Sequence, residues 1–398
     1  MNDIPQRLAE LAVRVGANVQ PGQIVSVMCE PGKESLTRAV AEQAYRAGAR
    51  FVDVQWFDPW VKRARIAHAP EDTLEFVPSW IGERMLQLGE QRCARVGLSG
   101  PTAPGILDGL DPVRAGRDRL PAIRESVQVL DARTTNWTVV PAPNPAWAAL
   151  VHPDLEPEAA LARLWEQIAH VCRLDEDDPV AAWSERRDVL VGVAGRLSDR
   201  AFDAIHYEGP GTDLTVGLIP GVRWIAARMH TVDGIEHMAN IPSEEVFTSP
   251  DPERVDGVVR ASKPLVLQDG TVVRDLTMRF EGGRAVHVDA ATAGETLRTI
   301  MDRDGGARRL GEVALVDGQG RIGALDTVFY DTLLDENAAS HIAIGTGFPF
   351  LGAGEAGGRI NESEIHIDFM IGSPEMRVTG ITASGDRVPI LVAGEWQV

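Results

Sequence analysis

Hydrophobic and polar positions follow two rhythms along this chain, and the change comes near its middle. In the first half, apolar residues recur at three- and four-residue spacing, interrupted by short continuous apolar runs. Gln6 to Ala17 puts Leu8, Leu11, Ala12 and Val15 on one helical face, and Ile24 to Cys29 reads as a strand. Glu34 to Ala49 is an amphipathic helix stopped at Ala47-Gly48, and Phe51 to Trp56 is a second strand. Further strands are predicted at Cys93 to Leu98, Val127 to Leu130 and Trp137 to Val140, with a longer helix at Pro157 to Cys172. Strands alternating with helices imply a mostly parallel sheet with helices on its faces. Arg173-Leu-Asp-Glu-Asp-Asp-Pro179 reads as a solvated acidic turn that caps a helix or begins a connection.

From about Ala204 the rhythm shortens. Apolar runs at Ala204 to His206, Leu214 to Leu218, Leu265 to Leu267, Ala285 to Val288, Val313 to Val316, Ser363 to Ile371 and Ile390 to Val392 are separated by Gly, Pro and Asp. That texture belongs to antiparallel strands, with a helix expected at Ala291 to Asp304. The expected architecture is an α/β amino-terminal domain over residues 1–190, a mostly parallel sheet with flanking helices, followed by a β-rich α+β metal-binding domain over residues 191–398. A chain of 398 residues is long enough for two cores.

The candidate chemistry lies in the second half. Asn361-Glu-Ser-Glu-Ile-His-Ile-Asp368 sets His366 and Asp368 two apart in a strand-like run, so both point to one face. One nitrogen and one oxygen ligand suit zinc, cobalt or manganese better than calcium. Three other segments add acidic residues or histidine beside strand or turn signals: Asn240 to Phe247 with Glu244 and Glu245, Gly311 to Val316 with Glu312, and Leu333 to His341 with Glu336 and His341. Neighbours on a strand face opposite sides, so only one of Glu244 and Glu245 can look into a shared pocket, and Glu245 is the expected one. A glutamate in an apolar strand is costly to bury unless a cation neutralises it.

These segments, in this order, together with Tyr207-Glu-Gly-Pro-Gly-Thr-Asp-Leu-Thr-Val-Gly217, resemble the signature of the M29 metalloaminopeptidases, the aminopeptidase T and aminopeptidase S group. At motif level the resemblance covers residues 205–375, and the amino-terminal half fits in length and pattern. It implies metal ligation by Glu245, Glu312, His341, His366 and Asp368, with Glu336 at or next to the centre. That is more than the three protein ligands usual at one catalytic zinc and suits two divalent ions sharing a carboxylate. It also implies peptide substrates with a free amino terminus and a homodimer. The proton carrier is left open between Glu336 and Glu244. Where the family pattern has a tyrosine, seven residues after His341, this chain has Phe348, which can wall a substrate pocket but cannot ligate a metal or donate to an oxyanion. A set of His341, His366 and Asp368 alone would also suit mononuclear non-haem iron, as in ring-opening dioxygenases of similar fold. A catalytically silent metal-binding homologue is the third reading.

Composition narrows the partners. Thirty-nine basic against 58 acidic residues give a formal charge of −19, which repels nucleic acid and favours cations or ammonium groups. Cys29, Cys93 and Cys172 lie far apart and read as reduced thiols of a cytoplasmic protein. The first residues lack the basic and apolar pattern of a signal peptide, and no apolar stretch is long enough to span a membrane. Gly352-Ala-Gly-Glu-Ala-Gly357 matches a dinucleotide-binding spacing but precedes no helix, so it reads as a loop. His206, His230 and His237 lie close enough to the motifs to line a pocket.

Overall fold

Four apolar segments build the first sheet: β1 (Ile24–Cys29), β2 (Phe51–Trp56), β3 (Ala94–Ser99) and β4 (Trp137–Pro141). They lie in the order β2-β1-β3-β4 with every neighbouring pair parallel. This is a computed structural model that describes residues 3–121, 123–267, 270–352 and 354–398. Parallel neighbours need crossovers, and the helices Glu34–Arg46 and Ser79–Glu90 lie in two of them. Val25, Val27, Val96 and Val140 are buried against Leu8, Leu36, Val40 and Leu164 of the surrounding helices, giving one core.

Two expectations are corrected here. Val127 to Leu130 is not a strand; it lies in the helix Arg124–Asp131. A four-residue run with two valines and a leucine fits either element, and only the burial of Val129 on one side of the helix distinguishes them. The acidic turn is not simply solvated: Asp175 and Glu176 both pair with Arg321, and Arg173 is nearly buried. Its Asp178 accepts from the amides of Val180 and Ala181, capping a helix that runs from Pro179 to Arg200. That helix crosses the position expected for the domain boundary. Trp183 packs in the first core, whereas Leu190, Val193 and Leu197 pack in the second.

The second half is strand-rich and antiparallel. An eight-stranded sheet runs from Arg284–Asp289 through Thr277–Glu281, Pro250–Arg260, Thr212–Leu218, Ala204–Gly209, Arg377–Ile381 and Arg387–Val392 to Glu395–Trp396. A five-stranded sheet has the order His366–Met370, His341–Gly345, Leu310–Val316, Glu245–Thr248, Ile225–Ala226. Val246, Val313, Leu315, Ile342, Ile344 and Phe369 share a core with Ile205, Val216, Val259 and Val378 of the larger sheet. The expected helix near Ala291 to Asp304 is present as Gly294–Met301.

The two halves interlock. In an open parallel sheet the crevice beyond the carboxyl ends of neighbouring strands, where the order reverses, is where ligands bind. Here the crevice beyond β1 and β3 receives the chain's own Asp331, which accepts from Ser99 Oγ at 3.1 Å and the Gly100 amide at 2.7 Å. Buried Lys33 donates to the Leu98 carbonyl at 2.8 Å, and Trp147 Nε1 donates to the Phe329 carbonyl at 2.5 Å. Beside β4, Asn240 forms a parallel bridge to Val139. The parallel sheet thereby holds both Asn240 and the segment ending at Glu336.

Candidate metal centre

Strand register puts the site together. Across the five-stranded sheet Glu245 pairs with Val316, His341 with Ala314, Ala343 with both Glu312 and Asp368, and Gly345 with His366. Paired residues share a face, and so do residues two apart. Glu245, Glu312, His341, His366 and Asp368 therefore all project from the same face, while their alternates fill the core behind. Between them on that face stand Ala314, Ala343 and Gly345, small residues that leave the space open. The register depends on a bulge at Gly311, where a Cβ would meet the Thr346 carbonyl at 2.2 Å.

The side chains converge accordingly. His341 Nε2 lies 3.1 Å from Glu245 Oε2; His366 Nε2 lies 3.0 Å from Glu312 Oε2 and 3.2 Å from Asp368 Oδ1. Three donor triads, Glu245–Glu312–His341, Glu312–His366–Asp368 and Glu336–His341–Asp368, each have ligand atoms within 4.8 Å of one another. In both histidines Nδ1 faces a backbone carbonyl, Glu336 O at 3.0 Å for His341 and Thr346 O at 2.8 Å for His366. Such a partner fixes the proton on Nδ1 and turns Nε2 toward the cluster as a lone-pair donor. Glu336 arrives from the short helix Thr332–Glu336, and its Oε1 accepts from Asn240 Nδ2 at 3.0 Å.

Without a cation this cluster is electrostatically uncomfortable. Burial, with the charges of Asp368 and Glu245, raises the Glu336 pKa well above the ordinary carboxylate range. Burial likewise raises Glu312, to about 7, against the pull of His366. Burial opposes a charged His341, but the hydrogen bond and charge of Glu245, with Glu312 and Asp368, push it up to about 10. His366 is raised well above its usual value against the same burial, first by Asp368, and Asp368 is in turn lowered despite burial by the His366 charge. Four carboxylates and two imidazoles gathered in one buried place, with aimed Nε2 atoms, fit a divalent cation site.

Glu244 faces the other way. It is fully buried, with Oε1 2.9 Å from Arg173 Nη2 and Oε2 on Arg186 Nε. Arg186 also pairs with Asp317 at 2.8 Å, and Trp396 Nε1 donates to Asp317 at 2.6 Å. The Glu244 amide donates to Asn337 Oδ1 at 2.5 Å. Arg173, Arg186, Asn337 and Asn240 are supporting residues to which the sequence assigned no role, although Asn240 and Asn337 lie within the motif segments. Phe348 stacks beside the site, its ring 5.4 Å from that of His366 and 5.4 Å from that of Phe247. Of the other histidines, His230 lines a cavity together with Phe350, His206 pairs with Asp213 at 2.9 Å, and buried His237 is lowered to about 4 by burial. Of the glycine-rich loop, Ala353 lies outside the described residues, and Gly357–Arg359 forms a single 3₁₀ turn.

The family model for thermophilic metalloproteases, M29, matches residues 2–396. The chain belongs to the M29 family. Among M29 relatives, aminopeptidase T of Thermus thermophilus is 44% identical over 99% of this chain and 98% of its own. Aminopeptidase AmpS of Bacillus subtilis is 37% identical over the whole of both chains. The solved structure of wild-type AmpT from Thermus thermophilus superposes with a TM-score of 0.88 at 43% identity, covering both chains completely. The M29 match makes this protein a metalloprotease, a hydrolase, and agrees with the fold of a parallel sheet followed by a strand-rich half. Among the described residues no helix is long and apolar enough to cross a membrane.

Proposed function

We propose that the protein is a metalloaminopeptidase that releases amino-terminal residues from peptides at a centre of two divalent ions, zinc, cobalt or manganese. The observation that carries this reading is that the donors form three overlapping triads, two sharing Glu312 and the third joining Glu336 to His341 and Asp368, more ligand atoms than one ion usually takes. When bound, such ions polarise the scissile carbonyl and lower the pKa of a bound water toward neutrality. The residues supply the rest. Nδ1 of each histidine is tied to a carbonyl, so neither ring can turn its lone pair away. Glu336 lies within the cluster and is anchored by Asn240, which suits it to carry a proton from the attacking water to the leaving amine. Glu244 cannot serve that role, because both its oxygens are engaged by arginines on the far side of the strand. The excess of carboxylate over histidine favours an ammonium group beside the scissile bond, hence a free amino terminus.

Metal analysis of protein purified without chelator, paired with release of leucine from a leucyl peptide, tests the reading. About two equivalents of zinc, cobalt or manganese, with activity lost on chelation and regained on reloading, is the expected result. One equivalent of iron without peptide hydrolysis would overturn it in favour of a mononuclear oxygenase. We further propose a cytoplasmic homodimer. Trp56, Trp60, Phe76 and Trp80, all more than half exposed, and the open edge of β2 offer surface for self-association, which sedimentation would measure.

A further inference from the structure

A cavity of about 160 Å³ is lined by Arg133, Arg223, Arg228, His230, Ile225 and Phe350, among others, and Ile225 pairs with Phe247 on the strand that carries Glu245. Phe348 connects the two places: its ring is 5.4 Å from the His366 ring and 5.7 Å from the Phe350 ring. Over Phe350 sits the Arg133 guanidinium, 5.5 Å from the ring centre, so the cavity closes between a residue of the amino-terminal half and the metal-bearing half. Arg228 is partly neutralised, by Asp188 at 2.7 Å and Glu236 at 3.5 Å. Arg133 and Arg223 form no ion pair among the described residues, and no carboxylate lines the cavity. In a chain of net charge −19, a cavity lined by three arginines, one of them over an aromatic ring, is a local reversal of sign.

We propose that this cavity receives the carboxyl terminus of a short peptide whose scissile bond lies at the centre, and so selects di- and tripeptides over long chains; this rests on the aminopeptidase reading. The reasoning is one of reach and chemistry. The Phe350 ring lies no farther from the His366 ring than the sum of the two ring-to-ring steps through Phe348, and each residue of an extended peptide advances about 3.3–3.6 Å, so a peptide of two or three residues can span the gap. A guanidinium is the side chain best shaped to bind a carboxylate through paired hydrogen bonds, and stacking on Phe350 holds the Arg133 plane for that purpose. Opposite charges at the two ends of the substrate would then meet opposite charges at the two ends of the site.

The test uses full-length, metal-loaded protein and five kinds of substrate. Leucine p-nitroanilide reports the aminopeptidase activity alone; if it is not cleaved, the functional reading fails and not this one. Leucyl di- and tripeptides as free acids are compared with their carboxamides, and the expected kcat/KM ratio is about 10- to 100-fold in favour of the acids, the range for hydrogen bonds to a charged group. Arg133→Gln and Arg223→Gln should each bring the acids down toward the amides through KM, and Arg223→Lys should keep part of the preference. Equal rates for acid and amide in a protein that cleaves the anilide would overturn the proposal. So would a matching preference for glutamate p-nitroanilide over the leucine compound, because the cavity would then hold the first side chain. A tripeptide amide with an aspartate at its third position distinguishes the carboxylate's source: recovery of the acid-level rate would assign the cavity to an acidic side chain and overturn the terminal assignment.

Discussion

Glu244 and Glu245 are consecutive, yet one meets Arg173 at 2.9 Å and the other meets His341 at 3.1 Å on the opposite side of the strand. The adjacency fixes one carboxylate by ion pairs so that its neighbour is held at the centre. Glu245→Gln should therefore abolish metal retention, measured after dialysis, with little change in the fold. Glu244→Gln should retain metal but lower stability by about 3 kcal/mol in denaturant unfolding, since it breaks a buried ion pair. Metal loss in Glu244→Gln at full stability would mean that the faces have been assigned the wrong way round.

Phe348 presents a ring, without a donor, beside His366. Phe348→Tyr adds a hydroxyl there at small cost in volume. If that hydroxyl reaches the developing oxyanion, turnover on amino-acid amides should rise by up to about 10²-fold, the usual worth of one such donor. A fall in kcat would instead make this position a substrate wall.

The metal-free protein should lose stability as pH rises. His341 is raised from 6.5 to about 10 in the fold, so its contribution is whole below pH 6.5 and is lost as pH climbs through about 10. Glu312, raised from 4.5 to about 7, has the same sign over a lower window. The Tm of chelator-treated protein should fall across that whole range, and His341→Gln should flatten its upper part. Metal uptake must displace these protons, so titration calorimetry at neutral pH in buffers of different ionisation enthalpy should report proton release.

Asp331 lies in the crevice of the parallel sheet, five residues before Glu336. Asp331→Ala removes the acceptor for Ser99 and Gly100 and leaves buried Lys33 with Glu30, 3.2 Å away, as its carboxylate partner. The expected cost is about 1.5–3 kcal/mol, with weakened metal binding although no ligand is touched. Unchanged affinity at reduced stability would confine this contact to folding alone.

Most of the fold was legible because short β-branched and aromatic runs between turn signals mark strands even at an edge. Ile24–Cys29 and Phe51–Trp56 have the bounds expected from sequence. Val127 to Leu130 misled for want of length, since four residues carry no period. Trp183, Leu190, Val193 and Leu197 of the Pro179–Arg200 helix do fall on one face at helical spacing; what the sequence could not show is that this one face serves two cores in turn. Within the site, alternation sufficed to separate Glu245 from Glu244 and to pair His366 with Asp368. Arg133, Arg223 and Asn240 were illegible because their meaning lies in contacts across the chain, which no local spacing encodes.

The Pro179–Arg200 helix has a further bearing on how such a chain can be divided. Because Trp183 belongs to one core and Leu190 onward to the other, a cut anywhere along this helix strips one half of a wall. Either half expressed alone is therefore expected to expose apolar core surface at this helix, which the solubility of residues 1–190 and 191–398 made separately would measure.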